Sequence, residues 1–219
     1  MEIFKETMFL LRKELLLEWR QKYAISGIFL YVISTVFIVY FAVPNIQDRA
    51  WNSLFWMVIL FASVNAITKS FVQENGHRQL YYYTLVRPQA VILSKMLYNT
   101  ILLMSLSLLS YAAFSLFVGN PVQHIDQFFL AIFLGSLGFS ITFTFISAVA
   151  AKADNNATLM AILGFPLIIP ILLTLIKLSF NALGLLQDSA IDTDITILVA
   201  IDFLLLGMSL ILFPFLWRD

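Results

Sequence analysis

The chain has 219 residues, of which 61% are hydrophobic and 12% charged, and its 13 basic and 13 acidic residues give a formal net charge of zero. About a quarter of the residues of a soluble domain are charged, so this composition excludes an ordinary soluble protein. The balanced charge gives no reason to expect a nucleic-acid partner. The absence of cysteine excludes disulfides, thiolate metal sites and a cysteine nucleophile.

Residues 1–22 form a charged segment that is too short to fold alone. Its apolar residues recur at spacings of four, three, four and four, as along one stripe of a helix: Phe4, Met8, Leu11, Leu15 and Trp19. Charged residues occupy much of the remaining surface. The pattern predicts an N-terminal interfacial helix on the cytoplasmic leaflet, which either only anchors the chain to membrane lipids or also packs on a partner subunit.

Six apolar stretches follow, and each is long enough to cross a hydrocarbon core of ~30 Å as a helix. They cover residues 23–43, 51–71, 91–118, 127–150, 157–180 and 195–217. Strands of a membrane barrel would instead show about 10 residues of alternating polarity, and an apolar run in lipid must bond its own backbone. The sequence therefore predicts an all-α integral membrane protein with six transmembrane helices, in which residues 23–217 form one membrane domain.

The basic residues indicate the orientation of these spans. Lys and Arg concentrate in cytoplasmic loops, and eleven of them fall in the N-terminal segment, the C-terminus and two alternate loops. Only Arg49 and Lys177 fall on the opposite side. This alternation predicts that both termini are cytoplasmic. Because the first span follows a charged segment and is too long for a signal-peptide core, we expect it to be retained.

The loop of residues 69–95, between the second and third spans, is the largest cytoplasmic surface in the sequence. Gly76 would interrupt the preceding helix, and Pro88 disfavours a helix at Arg87, which leaves room for a short helix over roughly residues 79–86. Its apolar and aromatic side chains are Leu80, Tyr81, Tyr82, Tyr83 and Leu85, and its charges include Glu74, Arg78 and Arg87.

Tyrosine and arginine are favoured among the few residues that dominate a protein interface. We therefore interpret this loop as a coupling helix that docks on a cytoplasmic partner. The alternative is that its basic residues only set the orientation of the chain, while its tyrosines belong to an aromatic belt at the membrane surface.

The fifth span contains Pro166 and Pro170, four residues apart, with Gly164 just before them. Each proline removes one backbone hydrogen bond from a helix, so the span must kink or be supported by its neighbours. One interpretation is a hinge in a mobile helix. The other is a static kink that shapes packing, since proline is more frequent in membrane helices than in soluble ones.

Asp202 is the one ionisable residue that the sequence places clearly inside a span. A carboxylate at the centre of a membrane helix costs about 2.5–3.5 kcal/mol on insertion scales, so it should face protein or water. It could contact a partner span or belong to a proton-linked site. Alternatively, the last span starts later than residue 195 and leaves Asp202 near the outer interface.

Small and polar residues cluster in the fourth span: Gly135, Ser136, Gly138, Ser140, Thr142 and Thr144. Such residues allow helices to approach closely and to form interhelical hydrogen bonds. Their spacing defines no single face. We expect them to serve packing, with a partner permease as the neighbour.

The loop also carries a family resemblance. An acidic residue, a glycine, an apolar helix, a proline and an apolar run ending in lysine follow one another as Glu74, Gly76, Leu80–Leu85, Pro88 and Val91–Lys95. This order resembles the cytoplasmic loop of ABC-2-type transporter permeases. Two further segments, R-K-E-L-L-L-E-W-R at residues 12–20 and F-P-L-I-I-P-I-L-L at residues 165–173, make the whole chain similar to the CcmB family.

The resemblance implies a permease subunit of an ABC transporter for cytochrome c maturation in the bacterial cytoplasmic (inner) membrane, and not an enzyme. The chain contains no G-x-x-x-x-G-K-[ST] motif for ATP. The resemblance therefore implies that the loop docks on a separate ATPase subunit, CcmA, and that CcmC, CcmD and the haem chaperone CcmE are further partners. ATP would bind to the ATPase, haem would be cargo, and this chain would bind no cofactor directly.

That resemblance leaves two descriptions open, export of haem or ATP-driven release of the haem-loaded chaperone. Three other functions compete with it. One is an ABC-2-type permease for another cargo, such as a lipid, a polysaccharide or a drug. A scaffold that holds CcmC and CcmE without transport is another. An intramembrane enzyme is the third, although Asp202 has no histidine, cysteine or lysine partner within the spans.

Overall fold

The computed structural model describes residues 2–20, 22–43, 45–67, 86–151, 156–186 and 191–218. Within these ranges the chain forms seven α-helices and no strand. In chain order they are α1 (Glu2–Arg20), α2 (Lys22–Ala42), α3 (Asp48–Ile67), α4 (Pro88–Phe117), α5 (Ile125–Ala150), α6 (Asn156–Ala182) and α7 (Ile191–Arg218). The predicted all-α class is confirmed for this part of the chain.

Five stretches of these helices are long and apolar enough to cross a membrane. They are Asp48–Ile67, Pro88–Phe117, Ile125–Ala150, Ile162–Ala182 and Ile191–Trp217. In α2 the apolar stretch Ser26–Ala42 is shorter. The starts of α2 to α7 lie within about one helical turn of the predicted span starts. The chain is therefore a multi-pass helical membrane protein.

The central helix of the bundle is α5. In its most apolar segment 72% is buried inside the chain, against 22% in the corresponding segment of α7. The Ser140 hydroxyl donates to the carbonyl of Met96 at 2.6 Å, and Asn99 Nδ2 donates to the Thr144 hydroxyl at 2.8 Å. The expectation that a partner permease packs on the small residues of α5 is wrong, because helices of the same chain already bury them.

Aromatic side chains join α3, α4 and α5 at one end of the bundle, and we call Trp51, Phe55, Phe114 and Phe128 the aromatic end. The rings of Trp51 and Phe55 stack with centroids 5.7 Å apart. Phe114 meets both rings edge-on, and Phe128 packs against both at a tilt. Each aromatic pair contributes about 0.5–1.5 kcal/mol beyond the burial of its area, so this cluster holds three helices in one arrangement.

Close contact between α3 and α5 depends on the glycine at position 135. A Cβ atom at Gly135 would lie 2.8 Å from the ring of Trp56. The Trp56 indole Nε1 donates to the Ser179 hydroxyl at 2.9 Å, and Asn52 Nδ2 donates to the carbonyl of Ile176 at 3.0 Å. These hydrogen bonds join α3 to α6, so α3 contacts both α5 and α6.

Candidate functional site

Most of the predicted coupling loop lies outside the described residues. This applies to Glu74, Gly76, Arg78, Leu80, Tyr81, Tyr82, Tyr83 and Leu85. Their docking role therefore stays a prediction. The two positions that close the loop, Arg87 and Pro88, are described, and they show how the loop joins the membrane bundle.

The first turn of α4 begins at the proline. Arg87 has extended backbone angles, φ −69° and ψ 135°, and Pro88 is the first helical residue. Proline suits this position because its missing N–H would have no partner there and its φ is already helical. The Arg87 carbonyl accepts a hydrogen bond from the Ala90 N–H at 3.0 Å. The predicted break at Arg87 is confirmed, and the loop is continuous with a 30-residue helix.

Two acidic residues hold α1 to the start of α4, and we call Glu6, Arg87, Glu14 and Lys95 the charged end. The Arg87 N–H donates to Glu6 Oε2 at 3.4 Å, and the guanidinium Nε lies 4.0 Å from Glu6 Oε1. Two turns further along α4, Lys95 Nζ lies 3.8 Å from Glu14 Oε1. Lys95 is only 3% exposed, so Glu14 supplies a negative charge to a buried cation.

These pairs were not predicted, although one signal was present in the sequence. A lysine two turns into an apolar helix needs a partner, because a buried charge without one is costly. The sequence does not show that this partner lies on α1, about 80 residues earlier in the chain. The charged end therefore joins the loop to the N-terminal helix in a way that only the fold makes visible.

The predicted apolar stripe of α1 is only partly buried against the bundle. Leu10 and Leu11 are buried, whereas Phe4, Met8 and Leu15 are exposed, Phe4 to 70%. Apolar residues occur on almost every side of this helix, so their spacing could not show which side meets the protein. The exposed apolar side remains free to meet lipid or a partner, and the interfacial role of α1 stays a prediction.

Asp202 lies inside the bundle, against α5. Because α7 begins at Ile191, before the predicted span start, Asp202 lies about 16 Å along the helix. It is 3% exposed, and a Cβ atom at Gly138 would lie 2.6 Å from its Oδ1. The helix thus begins before residue 195, while the depth of Asp202 in the membrane stays a prediction. Gly138 provides the space for the carboxylate.

The described residues supply no hydrogen-bond partner to either oxygen of the Asp202 carboxylate. The side chain instead lines a cavity of about 690 Å³ between α1, α4, α5 and α7. A buried polar group normally has a partner. The cavity is therefore a second candidate site, separate from the loop.

The predicted kink residues lie in an unbroken part of α6. Both Pro166 and Pro170 are on its exposed side, and the helix continues through them to Ala182. Gly164 is buried, and a Cβ atom there would lie 3.5 Å from the Phe143 ring, at ordinary contact distance. Their predicted role as a hinge stays a prediction.

The helices and their contacts define a class of protein. Long apolar helices around a buried central helix form a multi-pass membrane bundle, and the charged end lies where α4 begins. The family model described as CcmB protein matches residues 5–217, which is nearly the whole chain.

The chain belongs to the CcmB family. It is therefore a membrane component of the haem-export system of cytochrome c maturation and works together with other Ccm components. No curated protein and no solved structure matches the chain significantly.

Proposed function

We propose that this chain is the permease subunit of an ABC transporter complex, and that it couples ATP hydrolysis on a separate subunit to haem export or to release of the haem-loaded chaperone. The family match over residues 5–217 carries this proposal. The chain has no nucleotide-binding motif of its own. In the proposal CcmA supplies ATP hydrolysis, CcmC handles haem, CcmE is the haem chaperone, and CcmD is a further small component.

The charged end supports a physical route for the coupling. A partner that displaces the loop would act first on Arg87 and Pro88, where α4 begins. Because Glu6 is bonded to Arg87 and Glu14 is paired with Lys95, α1 would move together with α4. A local movement of the loop would thus change the positions of one proposed transmembrane helix, α4, and of the N-terminal helix α1.

The proposal includes six transmembrane helices, with α2 as the first, both termini in the cytoplasm and the bacterial inner membrane as the location. The absence of cysteine makes a direct test simple. Single cysteines replace Asn120, exposed between α4 and α5, or Lys5, exposed on α1. In spheroplasts a membrane-impermeant maleimide should label Asn120→Cys at once and Lys5→Cys only after permeabilisation. Labelling of both from outside would contradict the orientation.

The function itself is tested by deleting the gene and staining cells for haem in c-type cytochromes. We expect the deletion strain to lose them, wild type to restore them, and the variant with Arg87→Glu plus Tyr82→Ala to fail despite normal membrane levels. Normal cytochromes in the deletion strain, in the absence of a second copy, would contradict the haem-pathway role. An ABC-2-type permease for another cargo would then be the better assignment.

A charge-swap variant separates the two roles of Arg87. Glu6→Arg combined with Arg87→Glu re-forms the ion pair with α1, although not the bond from the residue 87 N–H, and inverts the charge shown to a docking partner. If only the α1 contact matters, the swap should restore cytochrome maturation that Arg87→Glu alone reduces. If Arg87 also contacts the ATPase, the swap should remain defective while α1 packs normally.

A further inference from the structure

The cavity beside Asp202 has the size of a ligand site. Its volume of about 690 Å³ falls within the roughly 300–1,000 Å³ typical of small-molecule pockets. Phe4 of α1, Met96 of α4, Phe133 of α5 and Phe203 of α7 form part of its apolar wall. Because four helices contribute, the cavity is a concave space and not a groove along one helix face.

The polar groups of the cavity wall offer acceptors and no free donor. Thr7 and Thr100 both line it, but the Thr7 hydroxyl donates to the Ile3 carbonyl and the Thr100 hydroxyl donates to the Met96 carbonyl, each at 2.8 Å. Their remaining capacity is to accept hydrogen bonds. Asp202 adds two carboxylate oxygens that no described residue contacts with a donor. A complementary ligand must therefore carry hydrogen-bond donors.

Two lysines in the described part of the chain are paired with acidic residues other than Asp202. Lys95 pairs with Glu14, and Lys177 pairs with Asp194 at 3.2 Å. A buried carboxylate is most favourably matched by a cation that also donates hydrogen bonds.

We infer that the cavity binds a lipophilic amine. Its apolar body fills the space between the helices, and its ammonium group donates hydrogen bonds to Asp202. This inference does not depend on the proposed function, since it rests on the cavity and its unmatched acceptors. An ammonium group could come from a free lipophilic amine or from a lipid with a primary amine in its headgroup.

The test is photolabelling of the full-length chain in phosphatidylcholine nanodiscs with a diazirine-bearing dodecylamine, and mapping of the adducts by mass spectrometry. The matching diazirine-bearing dodecanoic acid is the probe of opposite charge. We expect the amine to label Met96 and Phe133, with competition by unlabelled dodecylamine. Asp202→Asn should lower this labelling at least about tenfold, because it removes a charged acceptor. The matched control Asp192→Asn, exposed on the same helix, should not change it.

A second variant tests the cavity without changing its charge. Leu97→Trp places a large side chain at the cavity wall and should abolish the labelling while the chain still melts cooperatively. Competition by phosphatidylethanolamine nanodiscs would identify a lipid amine as the source of the ammonium group, and lack of competition would identify a free amine. Both results support the same binding chemistry.

Three outcomes would overturn the inference. Equal labelling by the acid probe would show that charge plays no part. Adducts that persist in Asp202→Asn would show simple partition into the lipid-facing surface. Loss of the amine labelling in native membranes that contain the other Ccm components would show that a partner helix fills the cavity.

Discussion

The two ends of α4 are held by different kinds of contact. At the aromatic end, Trp51 and Phe55 pack with Phe114 through rings 5.4 to 6.0 Å apart. At the charged end, α1 is joined to α4 by ion pairs between 3.8 and 4.0 Å. Aromatic packing depends on shape and resists displacement, whereas the Glu6–Arg87 ion pair is partly exposed and therefore weak and sensitive to salt. Only the Glu14–Lys95 pair, further along α4, involves a buried cation. The difference indicates a firm end of α4 and a more adjustable end, which lies next to the predicted coupling loop.

The largest effect is expected from Trp51→Ala at the aromatic end. Removing a buried aromatic ring should lower the free energy of unfolding by about 3–5 kcal/mol. The change can be measured by titrating the purified protein with denaturing detergent. Trp51→Phe keeps a ring but loses the indole bond to the Gly119 carbonyl, so its cost should be near 1 kcal/mol. If the two variants lost similar amounts of unfolding free energy, ring packing would not be the main contribution of Trp51 to stability.

The buried pair at the charged end should come next. Glu14→Ala removes the negative charge that lies 3.8 Å from the Nζ of the buried Lys95, and a buried polar group that loses a partner costs about 1–3 kcal/mol. The same detergent titration measures it. Lys95→Met, which removes the buried charge and keeps an unbranched chain, should cost less than Glu14→Ala. The reverse order would show that Lys95 is stabilised mainly by other groups.

The contact between Gly138 and Asp202, midway between the two ends, should give a comparable or smaller effect. Gly138→Ala places a methyl group 2.6 Å from Asp202 Oδ1, and such overpacking costs about 1–3 kcal/mol. Combining it with Asp202→Ala removes the clashing atom, so the double variant should recover part of the lost stability. Simple additivity of the two changes would mean that the residues do not contact each other.

The smallest effect is expected from Glu6→Gln at the exposed part of the charged end. An exposed ion pair contributes only about 0.2–1 kcal/mol, so global stability should barely change. Local opening of α1 can be followed through maleimide labelling of Thr7→Cys, which is buried in the folded chain. High salt should raise the labelling rate in wild type and have less effect in Glu6→Gln. A salt effect of the same size in both would exclude the Glu6–Arg87 pair as its cause.

The predictability of the candidate sites differs from residue to residue. The break in the helix at Arg87 was predicted because proline acts on its own neighbours through local sterics. The burial of Asp202 was left open, since it depends on where α7 begins and on a glycine at 138 in another helix. The partner of Lys95 was missed because Glu14 lies on α1 and nothing local marks the two as a pair.

The sequence by itself determined the membrane class, the helices and the family. Long apolar runs are favourable in lipid because their transfer from water lowers the free energy. This requirement sets the length and approximate ends of each helix without reference to neighbouring helices. Tertiary structure alone decided that α5 is central, which face of α1 packs, and that Asp202 faces a cavity. The physical reason is that lipid and protein interiors are both apolar, so hydropathy cannot distinguish a lipid-facing side chain from one that contacts another helix.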